Sequence, residues 1–201
     1  MTIGGAIATI GMDELRRNIR STLARVTDLG EALVIMQHVS PAAVLIHFRE
    51  AERWARIERA IAALHGLGVY PELARDTLEL AALVAAERRP TQSAIRAQAS
   101  QPREILAPLK VAGIADVRGR LASVLDEVGA GHPLTIAHQG AFAVMLISPR
   151  EFDRLRGLER LVAWFRTAGL DLSTADEATV AAWVRDYRTG PASAEPGSAA
   201  G

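Results

Sequence analysis

Apolar residues in the first 60 positions fall into two alternating rhythms. A β-type run from Ala6 to Ile10 is followed by Leu15, Ile19, Thr22/Leu23 and Val26, whose four-four-three spacing marks one face of an amphipathic helix. Gly11 suits its N-cap, and Glu14 places a carboxylate at the positive end. Gly30 ends it. Two runs rich in β-branched residues come next, Leu33 to Gln37 and Ala43 to Phe48, joined by the turn-like Val39-Ser-Pro41, and they read as a hairpin. The second run is almost continuously apolar, which implies burial on both faces, against a partner sheet for instance. A further helix begins near Arg49, carries Trp54, Ile57, Ile61 and Leu64, and stops at Gly68. The last helix is expected from about Pro71 to Arg88, with proline in its first turn.

The same pattern then returns. Gly11-Met-Asp-Glu-Leu-Arg-Arg-Asn-Ile19 reappears as Gly113-Ile-Ala-Asp-Val-Arg-Gly-Arg-Leu121, an offset of 102 residues. Gly30-Glu-Ala-Leu-Val-Ile35 reappears as Gly131-His-Pro-Leu-Thr-Ile136, and Ala42-Ala-Val-Leu-Ile46 as Ala143-Val-Met-Leu-Ile147, at an offset of 101. The second helical stripe is Val117, Leu121, Val124/Leu125 and Val128. The second hairpin spans Leu134 to His138 and Phe142 to Ile147, and the following helix carries Phe152, Leu155, Leu158, Val162 and Phe165. A last helix is expected from Ser173 to Arg188, with Thr174-x-x-Glu177 as a capping box. A period of this length means a duplicated small domain. The expected architecture is α+β, with the order β-α-β-β-α-α twice. The first unit covers 1–88 and the second 109–190. A proline-punctuated linker at 89–108, with a short helix around Ala94 to Ala99, joins them. A tail at 191–201 is too poor in apolar residues to fold.

Composition narrows the function classes. Lys and Arg number 23 and Asp and Glu 23, so no global field draws the chain toward nucleic acid or a membrane. With no cysteine there is neither a disulfide framework nor a thiolate metal site. The first residues lack a basic segment followed by a long apolar core, and the apolar runs near Val34 and Val144 are too short to span a bilayer, so a cytoplasmic protein with no membrane association is expected.

Taken in order, the motifs resemble the Phd/YefM antitoxins of bacterial type II toxin–antitoxin systems. That family's first helix carries a pattern close to Ser-Glu-Ala-Arg-x-Asn-Leu, matched here by Asp13-Glu-Leu-Arg16-Arg-Asn18-Ile19 and by Ala115-Asp-Val-Arg118-Gly-Arg120-Leu121. Gly131-His-Pro-Leu-Thr-Ile136 and Ala143-Val-Met-Leu-Ile-Ser148 with Glu151-Phe152 match the later elements. The resemblance covers roughly residues 7 to 54 and 109 to 155. It implies a transcriptional autorepressor whose first helices meet operator DNA and which neutralises a cognate toxin by protein contact. A fused duplicate then resembles a dimer written in one chain, a pseudo-dimer whose hairpins share one sheet or core; a larger homo-oligomer stays open. Gln37 and His138 stand where the family usually has an arginine, and the first copy has the Ser40 region in place of the hairpin glycine.

The candidate DNA-binding residues are Arg16, Arg17, Asn18, Arg20, Arg118 and Arg120, since an arginine fork fits guanine or phosphate. The bland alternative is a solvated helix face with Asp13 and Glu14 as ion-pair partners. Val180, Trp183, Val184 and Tyr187 form an amphipathic stretch that is a candidate for toxin binding, because aromatic residues dominate interface hot spots; core packing is the alternative. The five histidines, His38, His47, His65, His132 and His138, lack metal-ligand spacing. No phosphate loop, nucleophile elbow or carboxylate pair is present, so neither a metal, a cofactor nor a catalytic site is expected. The rival to the repressor reading is a pure interaction module that keeps the fold and has lost DNA binding.

Overall fold

The computed structural model describes residues 7–86, 110–138 and 140–190. The expected linker at 89–108, its helix around Ala94 to Ala99, and the tail at 191–201 lie outside the described residues. The elements are β1 (Ile7–Gly11), α1 (Met12–Leu29), β2 (Ala32–Gln37), β3 (Ser40–His47), α2 (Phe48–Gly66), a 3-10 turn (Pro71–Leu73) and α3 (Thr77–Ala85). The second half gives β4 (Lys110–Gly113), α4 (Ile114–Gly119), α5 (Leu121–Gly129), β5 (Leu134–His138), β6 (Ala141–Ile147), α6 (Pro149–Thr167) and α7 (Glu177–Thr189). The fold is mixed α+β.

These elements form two compact units that each draw on both halves of the sequence. One holds the described residues within Met1–Arg53 and Ile105–Gly157, the other those within Trp54–Glu104 and Leu158–Gly201. The units therefore cut across the boundaries 1–88 and 109–190 drawn from the repeats. The reason lies in the strands: an apolar hairpin needs a neighbour on its open edge, and here the other hairpin supplies it.

The first unit is built on one six-stranded sheet in the order β1-β2-β3-β6-β5-β4. Each half contributes a parallel pair, β1 with β2 and β4 with β5, and an antiparallel hairpin. The hairpins join antiparallel through β3 and β6, with Val44 opposite Ile147, Leu45 opposite Leu146 and Ile46 opposite Met145. Leu45 and Leu146 occupy matching places in the two repeats, so this register is centred on a residue and its own counterpart. A ladder irregularity recurs at matching sites too, between Ile35 and Met36 and between Ile136 and Ala137. Burial on both faces is as expected for central strands: Ala43 to Ile46 and Val144 to Ile147 are each 3% exposed or less. On one face the stripes of α1, α4 and α5 meet Leu33, Ile35, Leu45, Leu134, Ile136 and Leu146 in a continuous core.

Three local features differ from the sequence reading. The first hairpin turns at His38 and Val39, with His38 at φ 56, and Ser40 and Pro41 already belong to β3. The left-handed conformation expected of a glycine is carried there by histidine, one of the residue types that tolerates it. The helix after β4 is not continuous: α4 and α5 are separated at Arg120 (φ −123, ψ 29). α1 breaks in the same way at the matching Asn18 (φ −117, ψ 29). Gly119 does not explain the break by itself, because Arg17 stands at its place in the first repeat.

In the second unit the last helix of each half starts later than expected. Asp76 caps α3, its Oδ1 accepting the Glu79 N–H at 2.8 Å, and Pro71 opens only the 3-10 turn. Asp176 caps α7 by accepting the Thr179 N–H at 2.8 Å, whereas the Thr174 hydroxyl donates to the Asp171 carbonyl in the preceding turn. Arginines close this unit through backbone carbonyls. Arg160 donates to those of Ala74 and Arg75, and Arg56 to that of Ser173. Arg188 donates to the carbonyls of Val84 and Ala86, which lie at the C-terminal end of α3, where carbonyls lack partners within the helix.

Two outcomes follow from this packing. The Thr135 hydroxyl in β5 is buried, 1% exposed, and has no hydrogen-bond partner among the described residues, and the matching residue in β2 is Val34. Replacing a solitary buried hydroxyl by a methyl removes its desolvation cost, so Thr135→Val is expected to stabilise by about 1 kcal/mol. That corresponds to a rise of about 2–4 °C in the thermal midpoint by circular dichroism; a fall would show that the hydroxyl is satisfied. Hydrogen bonds from Thr179 hold the Asp176 carboxyl below its ordinary range. Its contribution is thus present at neutral pH and lost as pH falls through the depressed folded-state value. Asp176→Ala should melt below the wild type at pH 7, and the gap should close in acid.

Candidate nucleic-acid interface

The stripe that docks α1 onto the sheet leaves the opposite side of the helix outside. Leu15, Ile19, Leu23 and Val26 are buried, and Arg16, Arg17, Asn18 and Arg20 are exposed. In α4 Val117 is buried and Arg118 exposed, and Arg120 is exposed at the break before α5. Because both helices lie on the same face of the shared sheet, they come together, and between them runs an open groove of about 990 Å³. Arg16, Arg17, Asn18 and Arg20 line it from α1, and Arg118 from α4. Five of the six residues expected from sequence thus converge on one groove. Arg120 stands outside its lining.

Among the described residues none of these arginines forms an ion pair. The Arg17 Nε–H donates to the Asp13 carbonyl at 3.3 Å, a backbone contact that leaves its charge uncompensated. Asp13 and Glu14 do not pair with the arginines as the bland alternative required, and the Asp116 carboxylate accepts the Gly113 N–H at the start of α4. The Asn18 side chain makes no hydrogen bond among the described residues. The groove therefore presents unpaired guanidinium forks and one free amide, the groups that bind phosphate oxygens and base edges. Sequence reasoning missed Ser21, Ile114 and Gly119, which also border the groove. No side-chain signal marked them; they are there because the helices meet.

The partner-binding candidates separate. Val180 and Val184 are 0% and 2% exposed, so they belong to the core of the second unit and offer no surface to a partner. Trp183 and Tyr187 are half-buried in an aromatic group with Trp164 and Phe165. The Trp183 indole N–H donates to the Ala168 carbonyl at 2.8 Å, which fixes the ring against the end of α6.

The histidines do structural work. His65 is buried, pairs with Glu72 at 2.9 Å and stacks on Tyr70. The His47 Nδ1 accepts the Arg49 N–H at 2.9 Å at the start of α2, and burial, with Arg49 beside it, lowers its pKa. Among the described residues there is no group of three His, Cys, Asp or Glu side chains able to hold a metal ion. No helix among them is long and apolar enough to cross a membrane.

Comparison with known proteins agrees with the motif pattern. Residues 110–180 match the family model described as Antitoxin Phd_YefM, type II toxin-antitoxin system. No curated protein and no solved structure matches the chain. The matched span runs from β4 to Val180 in α7, so it includes the second hairpin, Arg118 and Trp164, and ends before Trp183 and Tyr187; over these residues the chain is similar to the Phd/YefM antitoxins.

Proposed function

We propose that the chain is an antitoxin that represses its own operon by binding operator DNA and neutralises a cognate toxin by protein–protein contact. The observation that carries the DNA arm is the groove in which Arg16, Arg17, Arg20 and Arg118, none of them ion-paired among the described residues, face outward beside Asn18. In this reading the chain is a tandem duplication folded as a pseudo-dimer. Support comes from the sheet order, which reads alike from either edge, the β3–β6 register centred on Leu45 and Leu146, and the helix break at Asn18 and again at Arg120. Paired elements related by such an axis suit a duplex with paired half-sites. The toxin arm rests on the family match over residues 110–180, and the half-buried Trp183 and Tyr187, which follow that span on α7, are the candidate anchors. The rival reading, an interaction module without DNA binding, is favoured by Gln37 and His138 in the hairpins, where the family usually carries arginine.

Fluorescence-anisotropy titration against the DNA upstream of its own gene, at several salt concentrations and with a scrambled duplex, separates the two. The repressor reading expects tight, sequence-selective and salt-sensitive binding. Arg16→Ala combined with Arg118→Ala should abolish selective binding, and the residual non-specific binding should show a log–log salt dependence flatter by roughly two phosphate contacts, about 0.9 of slope each, with the melting temperature unchanged. A lower melting temperature would make the two arginines structural. Equal, weak binding to both duplexes would favour the interaction module.

A further inference from the structure

We infer that the groove reads its duplex in one fixed orientation, through half-sites of unequal sequence, because the helices that line it carry different side chains at matching positions. This rests on the DNA-binding reading above. The repeat offset of 102 aligns Arg16 with Arg118, Arg17 with Gly119, Asn18 with Arg120, and Arg20 with Ala122. The alignment has a structural anchor: Asn18 and Arg120 share the same non-helical backbone conformation, so residues on either side of the break leave their helices at matching places.

A symmetric homodimer places one set of side chains over both half-sites and has no means of telling a duplex from its own reversal. In this chain that degeneracy is lifted. The α1 side offers three guanidinium groups and a carboxamide, from Arg16, Arg17, Arg20 and Asn18, and the other side offers two guanidinium groups, from Arg118 and Arg120. The groove itself is lopsided, since Asn18 and Arg20 line it and their counterparts Arg120 and Ala122 do not. The chemistry at the break differs in kind as well as number. A carboxamide pairs with both polar groups on the major-groove edge of adenine, and a guanidinium with those of guanine. The expected recognition element therefore has adenine under Asn18, no adenine at the mirrored step, where Arg120 stands outside the groove lining, and more phosphate contacts on the α1 side. Loss of one such base contact typically weakens binding by about tenfold to a hundredfold.

The test is selection of the full chain on a pool of random 30-base-pair duplexes, followed by sequencing of the bound fraction. An oriented, non-palindromic motif with adenine at one step and not at its mirror is the expected result. The same selection is run on the variant Gly119→Arg, Arg120→Asn, Ala122→Arg, which gives both helices the α1 set. A Cβ at Gly119 meets nothing within 4 Å, Ala122 is exposed, and asparagine already adopts the backbone conformation at that break, so the variant should fold. Its motif should become palindromic. Asn18→Arg alone should remove the adenine preference, which keeps the test open if the triple variant melts early. A palindromic motif from the wild type overturns the inference and leaves DNA binding standing. Salt-insensitive binding with no enriched motif overturns the DNA reading and the inference with it.

Discussion

The pairing of β3 with β6 is the interaction on which the rest of the structure depends. Each hairpin ends in a strand whose residues are apolar on both faces, Ala43 to Ile46 and Val144 to Ile147. Such a strand cannot stand at a sheet edge, where it would present unpaired backbone groups beside exposed apolar side chains. Four backbone-paired positions, from Val44 opposite Ile147 to His47 opposite Val144, turn two open edges into the middle of one sheet. What remains at the edges is short and partly polar: β1 has five residues and β4 four, with Lys110 at the start of β4. The compact units follow from this. Once the two hairpins share ladder hydrogen bonds, the folding block is the joined sheet with its helices, and the sequence repeat is no longer a spatial boundary.

The same pairing brings α1 beside α4. Both helices pack their apolar stripes against the shared sheet, so their polar sides have no choice but to adjoin. A groove lined by arginines from residues about 100 positions apart in sequence is thus a consequence of strand register and not of any contact between the arginines themselves. Covalent linkage adds a freedom that separate subunits lack. In a homodimer any change in the recognition helix appears on both sides of the axis. In a single chain Arg17 can be opposed by Gly119 and Arg20 by Ala122 while the buried stripe, Leu15 with Val117 and Ile19 with Leu121, remains apolar in both copies. Packing constrains the inner face; the outer faces differ.

Most of the fold was legible because burial writes a period into the sequence. The helical stripes, the paired strands and the hairpins all answer to apolar spacing, and every stripe residue named for the first helices is buried. The features that sequence did not carry are those set by backbone geometry or by long-range assembly. Arg17-Asn18-Ile19 gives only a faint sign of a break, since asparagine is a weak helix former but the apolar spacing from Leu15 to Ile19 runs straight across it. The late starts of α3 and α7 had a signal, an aspartate three residues before Glu79 and before Thr179, but Pro71 and Thr174 offered competing start signals nearby. Val180 and Val184 were ambiguous for a different reason: an amphipathic helix has one apolar face, and sequence alone does not say whether the molecule or a partner covers it.

Overall neutrality says little about the groove, because it sums charges without their positions. The chain balances 23 basic against 23 acidic residues, yet the two signs are not evenly mixed. Several carboxylates are taken up by local pairs that do not involve the groove: Glu31 with Arg25 at 2.7 Å, Glu50 with Arg53 and Glu151 with Arg154 at 2.6 Å, and Glu127 with Lys110. Other arginines are spent on backbone carbonyls, as Arg56, Arg160 and Arg188 are in the second unit. The guanidinium groups at the groove are left over from this pairing. At physiological ionic strength a field decays over about 8 Å, so a phosphate entering the groove responds to Arg16, Arg17, Arg20 and Arg118 and hardly at all to a carboxylate on the far side of the molecule. A sum over the sequence discards that distance, and it is the distance that decides whether a neutral protein can hold an anion.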